Sequence, residues 1–253
     1  MAMRKILKNI AFRPWVLRLV PRWLKPRIAS YLGCEFNLCL GDNYTEYFLW
    51  RKGQAPEHAA MVYLCEKLAD KNAVIFDVGA NAGIFGLPIL RAAGPDAAYF
   101  GVEPNPVMQA RLRDNINRNS FDKARVLDLA ISDTTGTAEM FFPKGNNLGE
   151  GRISLPYGST AGHATILTKT KTMVDCLRDE NITGIDLLKV DVEGLEDRVI
   201  WPLLDGPKAH WPTRIYFEVA HGQSWQYPLL EKLAECGYML EQDYGNNRLY
   251  LLK

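Results

Sequence analysis

IFDVGANAGIFGL, residues 75–87, is the stretch on which the fold turns. Ala73 to Val78 (AVIFDV) is an apolar run broken only by an acid near its end, the pattern of a strand buried on both faces of a sheet. Gly79-Ala80-Asn81-Ala82-Gly83 then turns the chain into a helix expected over 84–93. Downstream the pattern repeats. A second strand, Ala98 to Val102 (AYFGV), ends at Glu103-Pro104-Asn105-Pro106, and the prolines open a helix that carries Met108, Leu112 and Ile116 at helical spacing. A third strand is expected over 124–131, a short helix over 173–180 and a fourth buried strand over 185–190 that runs into Asp191-Val192-Glu193-Gly194. RIYFEVA, 214–220, reads as a fifth strand, followed by a helix over 227–236 and a closing hairpin, 238–244 with 248–252, around Gly245-Asn246-Asn247. Between the third strand and the short helix, residues 136–172 hold two β-rich pieces (TAEMFF and ATILTKTKT) around a Gly- and Asn-rich stretch, read as a β-hairpin insertion with a long loop. Alternating strands and helices predict an α/β fold: a mostly parallel sheet with helices on both faces and right-handed crossovers.

The 253 residues fit one such domain, placed at 55–253, after a segment, 1–54, of basic helical arm and connection. Hydrophobic residues make up 47% and charged residues 23%, a balance that excludes extended disorder. Charge is uneven: of 30 cations and 29 acids, residues 1–33 hold eight cations and no acid, so the remainder carries −7. A body this acidic excludes a nucleic-acid face, which needs a basic stripe to displace counterions. The first 32 residues read as one or two short helices broken by Pro14, Pro21 and Pro26. Two roles stay open for this head: an arm packed on its own domain, or a peripheral contact with anionic membrane in which Trp15 and Trp23 reach headgroup depth. Cys34, Cys39, Cys65, Cys176 and Cys236 are scattered without a CxxC pair and suit a reducing compartment rather than a zinc site or disulfide framework. No apolar run spans a bilayer and no signal-peptide core is present, so the expected location is the cytoplasm, with the inner membrane face as the alternative for the head.

In an open parallel sheet, ligands bind beyond the carboxyl ends of the strands, where strand order reverses. Asp77 to Gly83, Glu103, Asp191 to Gly194 and Glu218 to His221 all fall at such ends. Gly79 and Gly83 allow a tight turn and close ligand approach, and their G-x-x-x-G spacing is not the G-x-G-x-x-G of a dinucleotide site. Asp77 before them repels a pyrophosphate and suits the ammonium of an amino-acid moiety. Glu103 stands 20 residues after Gly83, where a carboxylate accepts two O–H bonds from a ribose diol. The combination favours S-adenosylmethionine over NAD, and makes an NAD(P)-dependent reductase the poorer alternative.

IFDVGANAGIFGL, GVEPNP, LDLAISD, DLLKVDVEGLE and IYFEVAH together resemble the FkbM family of S-adenosylmethionine-dependent methyltransferases, over about residues 55–252. The resemblance implies a Rossmann-like class I methyltransferase fold with a seven-stranded sheet. It also implies O-methylation: transfer of a methyl to a hydroxyl of a sugar, glycan or natural-product acceptor. It puts Asp77, Gly79, Asn81 and Gly83 at the methionine part, Glu103 at the ribose, and Asp128 to Ile131, including Ala130, beside the adenine, with Asn105 among the cofactor-binding residues. A scaffold that binds the cofactor without turnover is the alternative from outside enzymology.

The sulfonium methyl is already activated, so the protein must align the acceptor and receive its proton. His221, directly after the fifth strand, is the first candidate base; its other reading is a hydrogen-bonding residue at a helix start. Asp191, Glu193 and Glu218 form an acidic rim, with Asp191 and Glu193 expected to point the same way along an extended segment. The rim could hold a divalent cation, though Asp191 orienting the cofactor and Glu193 capping the following helix is the favoured reading.

Overall fold

The computed structural model describes residues 27–143, 147–149, 151, 153 and 163–253. The helices expected for the head fall on residues 1–26, outside the described residues. From residue 27 onward the head is not helical: β1, Arg27–Tyr31, pairs antiparallel with β2, Cys34–Leu38, across a turn in which Leu32 and Gly33 take φ of 44° and 77°. RIASY alternates partly buried and exposed positions, which suits a strand with one covered face. Helix α1, Tyr44–Lys52, is capped by Asn43, whose side chain accepts the Glu46 N–H, and it ends at Gly53 with φ 77°. Helix α2, His58–Leu68, leads to β3, Val74–Val78.

The chain then alternates: α3 (Gly86–Ala92), β4 (Ala98–Val102), α4 (Pro106–Arg118) and β5 (Ala124–Leu127). After β6 (Ala130–Ile131), β7 (Gly136–Pro143) and β8 (His163–Lys171) come α5 (Met173–Asp179), β9 (Leu187–Val190), α6 (Glu196–Asp205) and β10 (Arg214–Glu218). Helix α7 (Leu229–Glu235) and the hairpin β11 (Tyr238–Asp243) with β12 (Asn247–Leu252) close the fold.

Seven strands form the main sheet in the order β11-β12-β10-β9-β3-β4-β5. The run β10-β9-β3-β4-β5 is parallel, and β12 is antiparallel to both its neighbours. Chain order therefore reverses at β3, with β4 and β5 on one side and β9 and β10 on the other. This is a mostly parallel, seven-stranded Rossmann-like sheet, as expected from the sequence.

Successive residues of each central strand enter opposite cores, as strand geometry requires. Ile75, Tyr99, Leu187 and Tyr216 join one cluster with Met61 and Leu64 of α2, Leu87 of α3 and Leu112 of α4. Phe76, Phe100, Leu188 and Phe217 join the other with Cys176 of α5, Leu203 of α6 and Leu233 of α7. Two-sided burial is why these strands read as unbroken apolar runs.

Two expectations are corrected. The third strand does not run to Ile131: the Leu129 N–H bonds back to Leu127 O, the chain turns, and Ala130–Ile131 pairs instead with β8 in a separate three-stranded sheet, β6-β8-β7. Residues 27–54, grouped by sequence with the arm, pack inside the domain, since Tyr31, Phe36, Leu38, Tyr47 and Leu49 are all buried in the first cluster. The β7–β8 pairing, Gly136↔Thr170 through Pro143↔His163, is the expected hairpin insertion. All five cysteines are free thiols, and among the described residues no helix is long and apolar enough to cross a membrane.

Candidate functional site

A cleft of about 290 Å³ opens at the carboxyl ends of β3, β4, β9 and β10, beside the reversal of strand order. Val78, Gly79 and Asn81 line it from the turn after β3, Glu103 and Pro104 from the end of β4, and Asp191, Val192, Glu193 and Leu195 from the segment after β9. Glu218 at the end of β10 and Glu57 before α2 face the same space. Ala130 and Ile131 of β6, with Met140 and Ile153 from the insertion, supply an apolar wall. Tyr44 and Thr45 of α1 and residues 147 and 149 of the insertion complete the rim.

The turn is held tightly. Gly79, Asn81 and Gly83 all have positive φ (77°, 51° and 83°), and the Gly79 and Ala80 N–H groups both donate to Val102 O. A Cβ at Gly79 would lie 2.0 Å from Asp191 O, so the ends of β3 and β9 meet here with no room for a side chain. Asn81 Oδ1 accepts from its neighbour's Ala82 N–H at 2.8 Å and from Asn43 Nδ2 at 2.6 Å, tying α1's cap to the turn.

Glu103 is 7% exposed and uses both oxygens: Oε2 accepts the Asn81 N–H at 2.9 Å and Oε1 the Asn105 N–H at 2.8 Å. Burial raises its pKa to about 7, against the pull of those two N–H groups and of Lys189. Each oxygen keeps a second lone pair that can accept from an O–H donor.

Asp77, expected at the methionine ammonium, does not line the cleft. Its carboxylate is 1% exposed and already engaged: Oδ2 accepts the Tyr99 O–H at 2.9 Å, and Oδ1 lies 3.1 Å from Lys189 Nζ. It stands inside the strand, paired across to Gly101. Two further expected cofactor residues do other work. Asn105 caps α4 by accepting the Val107 N–H and donates through Nδ2 to Leu148 O, whereas Asp128 is exposed and ion-paired with Arg113. Ala130 does reach the cleft.

The acidic rim differs in detail from the expected one. Asp191 and Glu193 do not alternate along an extended segment, because Glu193 and Gly194 take φ of 57° and 98° and bend the chain away from β9. The capping expected of Glu193 falls to Glu196, whose buried Oε1 accepts the N–H groups of Val192 and Gly194 while Oε2 accepts from Trp225 Nε1. Asp197 Oδ2 likewise receives the N–H groups of Gln226 and Tyr227. Glu218 lines the cleft with its pKa raised to about 7, first by burial and then by the carboxylates of Asp191, Glu193, Glu196 and Glu57. His221 is not part of the lining: it stacks over Gly194, with Nε2 3.8 Å from Glu218 Oε2. Among the described residues, no group of three or more His, Cys, Asp or Glu side chains is arranged to hold a metal ion.

Sequence reasoning missed two contributors, Glu57 and Lys189. Burial and the Asp191 carboxylate raise the Glu57 pKa, with Lys189 pulling it back. Lys189 left a signal in the sequence: a lysine inside the apolar strand DLLKVD has to meet an acid once buried.

A family model for the methyltransferase FkbM domain matches residues 77–240. The chain belongs to the FkbM methyltransferase family. The match runs from Asp77, through the turn, Glu103 and the segment after β9, to the β11 hairpin, and so contains the whole strand-end half of the cleft. The 2-O-methyltransferase NoeI of Sinorhizobium fredii is 29% identical over 154 residues, covering 56% of this chain and 61% of that protein. The 31-O-demethyl-FK506 methyltransferase FkbM of Streptomyces tacrolimicus is 31% identical over 164 residues, 55% of this chain and 61% of that one. The matched stretch thus spans about three fifths of the length of these relatives. The crystal structure of methyltransferase FkbM from Methylobacillus flagellatus KT superposes with a TM-score of 0.49 at 16% identity, covering 72% of this chain and 44% of that one.

Proposed function

We propose that this chain binds S-adenosylmethionine at the turn after β3 and transfers its methyl to a hydroxyl of a sugar, glycan or natural-product acceptor. The observation that carries the reading is Glu103: a buried carboxylate at the end of β4, fixed by two backbone N–H groups and facing the cleft. That pair of acceptor oxygens fits a ribose diol, and Gly79 and Asn81 of the turn beside it line the same cleft, with no side chain at Gly79 to hold a ligand off. The apolar wall of Ile131, Met140 and Ile153 suits the face of an adenine ring. S-Adenosylmethionine supplies a methyl already activated on its sulfonium. The hydroxyl acceptor is supported by the relatives' names, both of which specify transfer to oxygen.

What the chain itself contributes is alignment and a proton acceptor. Glu218 takes that second role in this reading. It faces the cleft, and at a pKa of about 7 it is ionised above neutrality yet basic enough to receive a hydroxyl proton as the bond to carbon forms. His221, off the cleft wall, acts at most through Glu218.

Calorimetric titration of the full chain tests the reading: S-adenosylhomocysteine should bind and NADH should not. The reverse result removes the reading. On a panel of hydroxyl acceptors, Glu218→Gln should lower turnover about 10²- to 10³-fold and abolish the rise in rate through pH 7, with His221→Ala costing much less. Full activity of Glu218→Gln moves the base elsewhere.

A further inference from the structure

We propose that Lys189 is a positioning residue for the methionine end of the cofactor: one buried ammonium that clamps the β3 turn to the end of β9. The inference rests on the S-adenosylmethionine reading above and adds to it a residue that does not itself line the cleft.

Lys189 lies in the central strand β9, flanked by β3 and β10, and is 3% exposed. Its Nζ donates to Gly79 O at 2.6 Å and stands 3.1 Å from Asp77 Oδ1 and 3.6 Å from Asp191 Oδ2. The three oxygens belong to three places that must keep fixed relative positions: the interior of β3, the first residue of the glycine turn, and the cleft face after β9. Gly79 is where these places touch, its missing Cβ replaced by the Asp191 carbonyl. The backbone contact therefore sets how close the two strand ends come, and Lys189 supplies the attraction that keeps them there.

Charge gives the arrangement its direction. Burial opposes the lysine's ionisation, yet Asp77, Asp191 and Glu57 outweigh burial and hold its pKa above the usual lysine range. Among the described residues, the cation paired with the buried Asp77 carboxylate is Lys189, and its other side-chain partner is the Tyr99 hydroxyl. Remove the ammonium, and Asp77 is left as an unpaired buried charge, Gly79 O loses its donor, and Asp191 is released into a cleft it shares with Glu57 and Glu218. In the proposed pose the methionine half meets these groups, the ribose and adenine being assigned to Glu103 and to Ala130 and Ile131 of β6, which line the cleft as well.

The two halves of the cofactor can be tested separately. S-Adenosylhomocysteine carries the amino-acid end, and 5′-methylthioadenosine has the same adenosine without it. In the full chain at pH 9, where Glu103 is ionised and the lysine's pull on it matters least, Lys189→Met should weaken S-adenosylhomocysteine about 10- to 100-fold while changing 5′-methylthioadenosine by less than about threefold. Equal weakening of both ligands in a variant that keeps its cooperative fold, or no change in either, overturns the inference. Should Lys189→Met not fold, Lys189→Arg carries the test. It keeps the charge but cannot set one compact ammonium against three oxygens, so it should show the same one-sided loss on a smaller scale, and unchanged affinity for both ligands overturns the proposal. If the unaltered chain binds neither ligand, the functional reading fails first and takes this inference with it.

Discussion

Glu103 couples binding and stability to pH in opposite directions. Its folded pKa of about 7 lies above the ordinary glutamate value, so between that value and 7 the folded chain holds a proton that the unfolded chain has lost. This site's contribution to stability therefore falls as pH rises through that window. Ligand binding runs the other way: only the ionised carboxylate can accept from both backbone N–H groups and still meet a diol. Affinity for S-adenosylhomocysteine should drop severalfold between pH 8 and pH 6, while urea unfolding of the ligand-free chain shows the fold no weaker at the lower value. Glu103→Gln should bind about 10- to 100-fold more weakly at pH 8 and lose the pH slope. An affinity flat from pH 6 to 8 in the unaltered chain would separate Glu103 from the ligand.

At the level of elements, the glycine turn and the end of β9 behave as one unit, and two glycines with the same φ show why. Gly79 and Gly53 both have φ of 77°, but a Cβ at Gly53 meets nothing within 4 Å, whereas at Gly79 it strikes Asp191 O at 2.0 Å. Gly53→Ala bears only the strain of a left-handed alanine, about 1–2 kcal/mol. Gly79→Ala bears that strain and must also push β3 and β9 apart, so it should cost upwards of about 3 kcal/mol and abolish cofactor binding. Denaturant unfolding of both variants decides it, because equal costs would mean that the Asp191 contact does not matter. The same elements explain what was legible in the sequence. β3, β4, β9 and β10 are apolar on both faces, and their order and the turns after them could be read directly. The partners of the charged residues could not. Asp77 meets Lys189 across 112 positions of sequence, and nothing local tells a strand-end carboxylate facing ligand from one committed to a buried ammonium. The partners of Asn105 and Asp128, Leu148 and Arg113, are likewise brought there by the fold and not by neighbouring sequence. The break after β5 was hidden because Asp128 and Leu129 continue an alternating pattern that two different sheets share.

For the molecule as a whole, the question is where the folding unit begins. Sequence periodicity draws attention to the strands from residue 73 onward and leaves 27–54 looking like a connection, but the side chains say otherwise. Asn115 on α4 and Asn119 at its C-cap bind the backbone of β2 through the N–H groups of Asn37 and Glu35 and the Glu35 carbonyl. Arg111 on the same helix, with 12% of its side chain exposed, bridges Asp42 at 2.7 Å and the fully buried Glu46 at 2.5 Å. Asn43 reaches Asn81 in the cofactor turn, so the hairpin and α1 brace the cleft as well as the core. Tyr31, Phe36, Leu38, Tyr47 and Leu49 are each at most 6% exposed, and at roughly 1.5–3 kcal/mol per buried side chain of this size their removal costs about 7–15 kcal/mol. That equals the whole net stability of an ordinary domain, about 5–15 kcal/mol. A chain starting at residue 55 should therefore fail to fold cooperatively, whereas one starting at residue 27 keeps every described contact. Circular dichroism melts of the two truncations, with S-adenosylhomocysteine titrated into each, read the difference. A cooperative transition in the shorter chain within a few degrees of the longer one would show that β1, β2 and α1 are an appendage. Folding of the shorter chain with binding lost would assign them to the cleft alone, through Asn43 and the α1 rim.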